Sequence, residues 1–338
     1  MRTSQTEDLQ IVEKDPLAAA QKQMARPLQE METFLDVIID STVRIIPEVS
    51  HHLMGSGGKR IRPVLLMWMT QASGGDPRRG VRLAAATELI HNSTLLHDDV
   101  VDRGQFRRGV PAAPTVYGNS ASVLVGDYLM AKAFRIVVEH GNLVLLDELS
   151  KAVSAMAEGE ILQLIRSGRF TLSLSGYMEV IAGKTAGLFS WSCRCGASLG
   201  TLTPAQIEQA AKYGQEFGMA FQICDDVIDY VSPPEASGKD LANDIRQGKT
   251  TLPLLLACEE DGTLFSKLEE LSSREPTDRD CEEVLYRVKN TSAIARSLAK
   301  GRDFATRAMD RLEGFPDGHA TERLRELAAY IVNRVEDP

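Results

Sequence analysis

The chain has 338 residues, 43% of them hydrophobic and 25% charged, enough for a sizeable core in one large domain or two ordinary ones. A net charge of −9 argues against a nucleic-acid partner, which needs a basic face, but leaves room for an anionic substrate if the acid holds metal. No apolar run reaches the roughly 18 residues that span a bilayer, and the N-terminal MRTSQTEDLQIVEKD carries no signal-peptide core, so a cytoplasmic location is expected.

Met1 to about Ala20 is polar and unpatterned, and is expected to be loosely held. From about Pro27 to Ile46, Leu28, Met31, Phe34, Leu35, Ile38 and Ile39 keep helical spacing. In GSGGKRIRPVLLMWM, Gly55, Gly57 and Gly58 break the chain and Pro63 suits the first turn of a new helix. Lys59 and Arg62 then stand at a helix N-terminus, where backbone N–H groups favour an anion. A flexible loop with two solvated cations fits the same residues.

Pro77 to Asp102 reads as one long helix that closes in LLHDDVVDRGQFRRG. Asp98 and Asp102 are four apart, so their carboxylates stack on one face and repel. Mg²⁺ would remove that repulsion, since it takes a few carboxylates together with substrate phosphate oxygens. His91 lies two turns before Asp98, roughly on its face. After GQFRRGVPAAPT, helical patterning continues through Ser120–His140, Leu145–Ile165 and Gly176–Ala197, the last containing GKTAG with Lys184. A surface lysine is the default reading of Lys184. Cys193 and Cys195 would face apart on that helix, and with Cys224, Cys258 and Cys281 they form no paired framework. Packed, unliganded thiols in a reducing compartment are expected.

Thr203-Pro204-Ala205-Gln206 is a capping-box start. Its helix runs to about Tyr230 and carries Gln222 and a second acidic cluster, DDVID, at Asp225, Asp226 and Asp229. One such cluster reads as a solvated helix end; two, each closing an apolar helix and followed by basic residues, do not. SPPEASGKDLANDIRQGK is a loop by composition, with Lys239, Asp244 and Lys249 in it. Leu252–Cys258, Cys281–Val288, Ala293–Leu312 and Thr321–Val335 read as further helices, and no alternating strand is found. The expected fold is all-α: a flexible segment over 1–20, then a single-domain bundle of about ten or more helices over 21–338 around a central cavity. The two acidic helix ends would face each other across that cavity. Acid on facing helices with a basic surround makes sense if metal sits on the acid and phosphate bridges metal and base.

GGKRIRP, HDDVVD with its following RRG, GKTAG, FQICDDVIDY and GKDLANDIRQGKTTLP together resemble the trans-isoprenyl diphosphate synthases, from about Pro27 to Pro338 in order and spacing. Within them the sequence is most similar to the long-chain octaprenyl and decaprenyl diphosphate synthases that make quinone side chains. The resemblance implies a prenyltransferase of the isoprenoid synthase fold that condenses isopentenyl diphosphate with an allylic diphosphate. About three Mg²⁺ ions would be held by Asp98, Asp102 and Asp225, with Asp99, Asp226 and Asp229 supporting them. Arg107, Lys184, Thr185, Gln222, Lys239 and Lys249 would serve the allylic diphosphate, and Lys59, Arg62, His91 and Arg108 the isopentenyl diphosphate. A homodimer is implied, with no transmembrane segment and a product handed to the membrane. Asn243, Ala112 and Arg103-Gly104 depart from the usual pattern without touching a metal position. Ser93 and Thr94, about one turn below Asp98, are small where short-chain members tend to carry aromatics. That points to a long product, unless Met130, Phe134 or Met156 floors the pocket.

Competing readings are a short-chain synthase, a terpene cyclase, a metal phosphohydrolase built on His97-Asp98, and a non-catalytic partner subunit. Cyclases generally lack the second aspartate cluster and the Lys59 and Arg62 pair. A phosphohydrolase needs further histidines in a pattern that His51, His52, His91, His140 and His319 do not make. A partner subunit would typically have lost the aspartates or the basic residues, and all are present here.

Overall fold

Helices form wherever the apolar spacing allowed them, and they account for nearly all of the regular structure in the computed structural model, which describes residues 15–166, 170, 173–231, 243–274 and 276–336. The N-terminal half runs α1 (Pro16–Gln23), α2 (Ala25–Ile39), α3 (Ile45–Gly55), α4 (Ile61–Ala72), α5 (Val81–Val101), α6 (Ala113–Tyr117), α7 (Asn119–His140) and α8 (Leu143–Arg166). Then follow α9 (Leu174–Ile181), α10 (Gly187–Ser198), α11 (Pro204–Val231), α12 (Asn243–Arg246), α13 (Leu252–Glu260) and α14 (Gly262–Leu271). The chain closes with α15 (Asp278–Lys289), α16 (Ala293–Asp310) and α17 (His319–Glu336).

α4 is the axis of the bundle: Val64 through Met69 are all fully or almost fully buried. Around it pack α5, α10 and α17, with α7 laid along α5 and α11 along α10. A smaller core joins α9, α13, α14 and α15 to the outer side of α11. The close approach of α11 to α10 depends on glycine. A Cβ at Gly214 would stand 2.4 Å from the Phe189 carbonyl oxygen, and one at Gly218 would stand 2.6 Å from the Ala186 Cα. That approach brings the second aspartate cluster up to the GKTAG segment.

Four features differ from the sequence expectation. The loose segment expected over 1–20 does not hold for residues 15–20, since α1 begins at Pro16 under an Asp15 cap and Leu17 and Ala20 pack into the core; residues 1–14 lie outside the described residues. The expected helix over Gly176–Ala197 is interrupted by a π-turn at Ala182–Ala186, which carries Lys184 on widened backbone. α14 was not foreseen, because its ten residues begin at a glycine. Finally, a two-stranded hairpin pairs Phe106–Arg107 with Val110–Pro111. It turns through Arg108 and Gly109, whose φ values of 51° and 79° are both positive, as a two-residue turn of primed type requires. Strands of two residues show no alternation, so the pattern was invisible. All five cysteines are free and buried, as packed thiols should be.

Candidate active site

The C-terminal turn of α5 and the last two turns of α11 face each other across a cleft of about 350 Å³. Asp98, Asp102, Asp225, Asp226, Asp229 and Asp244 all line it. Three of these carboxylates are each paired with a cation from another element. Asp98 lies 3.7 Å from Lys184 Nζ, which also pairs with Glu160 of α8. Asp102 accepts from Lys249 Nζ at 2.9 Å. Asp225 accepts from Arg334 Nη2 of α17 at 2.5 Å. Burial pushes the Asp98 carboxyl up to about 6, against the pull of Lys184, so taking this group out of water is costly without a cation.

The second aspartate of each cluster is turned inward and tied to protein. Asp99 is buried and receives a forked bond from Arg107, with Nε at 2.9 Å from both oxygens and Nη2 at 2.6 Å. Asp226 accepts from the Tyr177 hydroxyl at 2.7 Å and from Gln222 Nε2 at 2.8 Å, while Thr185 Oγ1 donates to Gln222 Oε1 at 2.8 Å. Burial pushes Asp226 up to about 8, with Asp244 and Asp229 adding to the rise and the Tyr177 and Gln222 bonds opposing it.

Among the described residues no three His, Cys, Asp or Glu side chains converge into a ready metal cage. The donors are nonetheless hard carboxylate oxygens from two facing helices on an open cleft. That set suits Mg²⁺, which binds through one or two carboxylates and completes its shell with water and phosphate.

Beside the cleft lies a second centre, rich in arginine. Arg62 stacks its guanidinium 4.2 Å over the Phe189 ring, and its buried Nε has no hydrogen-bond partner among the described residues. Burial lowers it to about 10, and both Glu88 and Asp225 act on it, so this centre borders the acidic cleft. His91 is pushed well below its ordinary value by burial and by Arg62, Arg108, Arg107 and Arg60, and is neutral at pH 7. Arg108 is exposed at the hairpin turn and is lowered by burial of part of its head and by Arg107 and Arg60. Lys59 is exposed.

Two facing aspartate clusters with an adjoining arginine centre are the arrangement that the sequence motifs demanded, and residues 43–288 match the family model described as polyprenyl synthetase. The chain belongs to the polyprenyl synthetase family. It is therefore a prenyltransferase. It is 35% identical to the octaprenyl diphosphate synthase of Escherichia coli over 88% of this chain and 92% of that one. A short chain isoprenyl diphosphate synthase of Methanothermobacter thermautotrophicus is also 35% identical, over 90% and 94%. Among solved structures, a polyprenyl synthase from Caulobacter crescentus complexed with calcium and isoprenyl diphosphate superposes with a TM-score of 0.90 at 38% identity, covering 94% of this chain and 98% of that one.

The synthetase fold gathers Asp98, Asp102, Arg107, Lys184, Thr185, Gln222, Asp225, Asp226, Asp229 and Lys249 on one cleft. Arg107 lines it while bonded to Asp99. Lys239 lies outside the described residues. Ser93 is fully buried and donates to the Gly126 carbonyl at 2.7 Å, so it faces α7. Thr94 is half-buried and bonds back to the His91 carbonyl at 2.9 Å. His97 also turns to α7, with Nε2 3.2 Å from the Val123 carbonyl and 3.3 Å from Asp127, which deprives the phosphohydrolase reading of its histidine.

Sequence reasoning missed Tyr177, Glu160, Arg334, Arg60 and Glu88. Only Glu88, one turn before His91 on the same helix, left a signal. Arg334 is 109 residues from Asp225, and nothing local connects them.

Proposed function

We propose that the enzyme makes a long all-trans polyprenyl diphosphate by sequential condensation of isopentenyl diphosphate with an allylic diphosphate primer, for use as a quinone side chain. The observation that carries this reading is the pairing of two unlike centres: carboxylates that suit Mg²⁺, and beside them a buried arginine with an unsatisfied donor. About three Mg²⁺ ions, when bound, would supply the positive charge that neutralises the allylic diphosphate as its C–O bond breaks. Asp98, Asp102 and Asp225 would hold them, with Asp229 close by and Asp99 and Asp226 fixing the flanking backbone.

Lys184 and Lys249 stand where they can donate to the same diphosphate once Asp98 and Asp102 turn to metal, Arg107 lines the same cleft while held by Asp99, and Thr185 orients Gln222. Lys239 is assigned to this group from its motif. Lys59, Arg62, His91 and Arg108 take the isopentenyl diphosphate without metal. Neutral His91 serves there as a hydrogen-bond donor. The homoallylic double bond then attacks the allylic carbon, and the departing pyrophosphate accepts the proton, so no side-chain base is required.

Long products are supported by the small side chains at Ser93 and Thr94, with nothing aromatic along α5. Because Ser93 faces α7, Thr94 is the residue of the pair left to border the growing chain, and a floor on another helix would give the short-chain product instead. Products from a farnesyl diphosphate primer, separated by chromatography, decide between them. Wild type should give chains well beyond geranylgeranyl and Thr94→Phe markedly shorter ones, whereas wild type stopping at geranylgeranyl would end the long-chain reading.

A homodimer is supported by exposed apolar positions on one side of α7 and α8, with Leu124, Val138, Leu143, Ile161 and Leu164 all open to solvent. Light scattering at micromolar concentration tests it, and a monomer would refute it. No helix among the described residues is long and apolar enough to cross a membrane. A cytoplasmic enzyme passing its product to a membrane is the location proposed.

A further inference from the structure

The basic centre contains one buried carboxylate that neither substrate role uses. Glu88, on α5, is 3% exposed, and burial raises its carboxyl while Arg60, Arg62 and Arg108 draw it down. Arg60 Nη1 donates to Glu88 Oε2 at 3.2 Å and Arg60 Nε donates to Glu32 Oε1 of α2 at 2.7 Å. Arg60 has φ 44°, a left-handed conformation unfavourable for a residue with a long side chain. That twist sends its guanidinium inward to α2 and α5, while Lys59 is left exposed and Arg62 lies on Phe189. A Cβ added to Gly58 would lie 3.0 Å from Arg60 Nη1 and 3.1 Å from Arg108 Nη1. The two guanidiniums therefore close over Gly58, and Glu88 is the internal anion that lets them do so.

We propose that Glu88 and Arg60 form a positioning pair for the diphosphate of the incoming five-carbon unit, tying the Gly57–Arg60 loop to α5 so that Lys59, Arg62 and Arg108 are in place before that diphosphate arrives. The inference rests on assigning Lys59, Arg62, His91 and Arg108 to that diphosphate. Removing the Glu88 charge has two opposed effects. The field on an anion becomes more attractive, but neighbouring cations lose their counter-ion and move apart. The second effect is the larger, because an arginine fork recognises phosphate through fixed geometry and a displaced fork loses its paired bonds. Preorganisation of the empty site is thus what the pair contributes.

The test is calorimetric titration of isopentenyl diphosphate in EDTA, where the aspartate site is without metal and no turnover occurs. KM for each substrate and the unfolding temperature are measured alongside. Glu88→Gln preserves shape, and should raise the isopentenyl diphosphate Kd and KM about tenfold while leaving the allylic KM within about twofold. Arg60→Gln should do the same, and the double variant no more than either single change, since both act through one contact. Should Glu88→Gln fold poorly, Arg60→Gln carries the prediction alone. Glu32→Gln cuts the more exposed leg and should shift Kd by less than about threefold.

Arg62→Ala separates the two levels of inference. If it raises the isopentenyl diphosphate KM while Glu88→Gln and Arg60→Gln leave Kd unchanged or tighter, the positioning pair is refuted and the diphosphate site stands. If Arg62→Ala raises both KM values equally, the site assignment itself fails, and the pair with it.

Discussion

Replacing Asp226 with Asn should make the metal-free enzyme more stable, by an amount that grows with pH. Burial holds the Asp226 carboxyl at about 8 against an ordinary value of 3.8. A carboxyl raised on folding stabilises the native state fully below its unfolded pKa, and that contribution is lost as pH rises toward the folded value. The window therefore runs from about pH 4 to about pH 8. Across it, a rise of about four pH units corresponds to at most about 5 kcal/mol of lost stability.

Asp226→Asn removes that loss, because the amide does not ionise, but it costs one hydrogen bond. Tyr177 at 2.7 Å and Gln222 at 2.8 Å both donate to the carboxylate, and an amide has only one acceptor oxygen. Restoring the second bond requires Gln222 to reverse and the Thr185 hydroxyl, now its donor at 2.8 Å, to become its acceptor. The lost bond is worth about 1 kcal/mol. The variant should accordingly match wild type near pH 5 and exceed it by up to about 3 kcal/mol at pH 7. Urea unfolding in EDTA at a series of pH values gives the difference directly. A variant no more stable than wild type at pH 8, or a gap that fails to widen between pH 5 and 8, would refute the reasoning. Turnover with Mg²⁺ should fall in the same variant, because the buried carboxylate fixes the backbone beside Asp225.

Asp98→Ala and Asp225→Ala each remove a carboxylate proposed to hold metal, and kcat should drop by about 10³-fold or more, as it should for wild type stripped with EDTA. Near-wild-type turnover in both variants would show that the metal assignment is wrong. Gly218→Val places a methyl-bearing carbon 2.6 Å from the Ala186 Cα, which forces α11 away from the π-turn that carries Lys184. A loss of about 3 kcal/mol in urea unfolding, with reduced kcat in the folded fraction, is expected; an unchanged unfolding midpoint would mean that the helices are not in contact there.

The pairs of carboxylates were legible in the chain because a helix repeats every 3.6 residues. Asp98 with Asp102, and Asp225 with Asp229, share a face whatever surrounds them. The same local rule exposed the long helices, the capping box before α11, and the place of Lys59 and Arg62 at a helix start. It also found His91 on the helix that leads to Asp98.

What each carboxylate meets was decided only by packing. Lys184 reaches Asp98 from a π-turn that helical periodicity had smoothed over, and Lys249 reaches Asp102 across 147 residues of sequence. Arg334 reaches Asp225 from the final helix. The division between Asp98, Asp102 and Asp225, each paired with a lysine or arginine from another element, and Asp99 and Asp226, which turn onto Arg107 and Tyr177, likewise has no local signature. Sequence spacing specifies which face of a helix a side chain occupies, through backbone geometry alone. Which cation crosses to it depends on how closely two helices approach, and at α10 and α11 that distance was set by the missing side chains of Gly214 and Gly218.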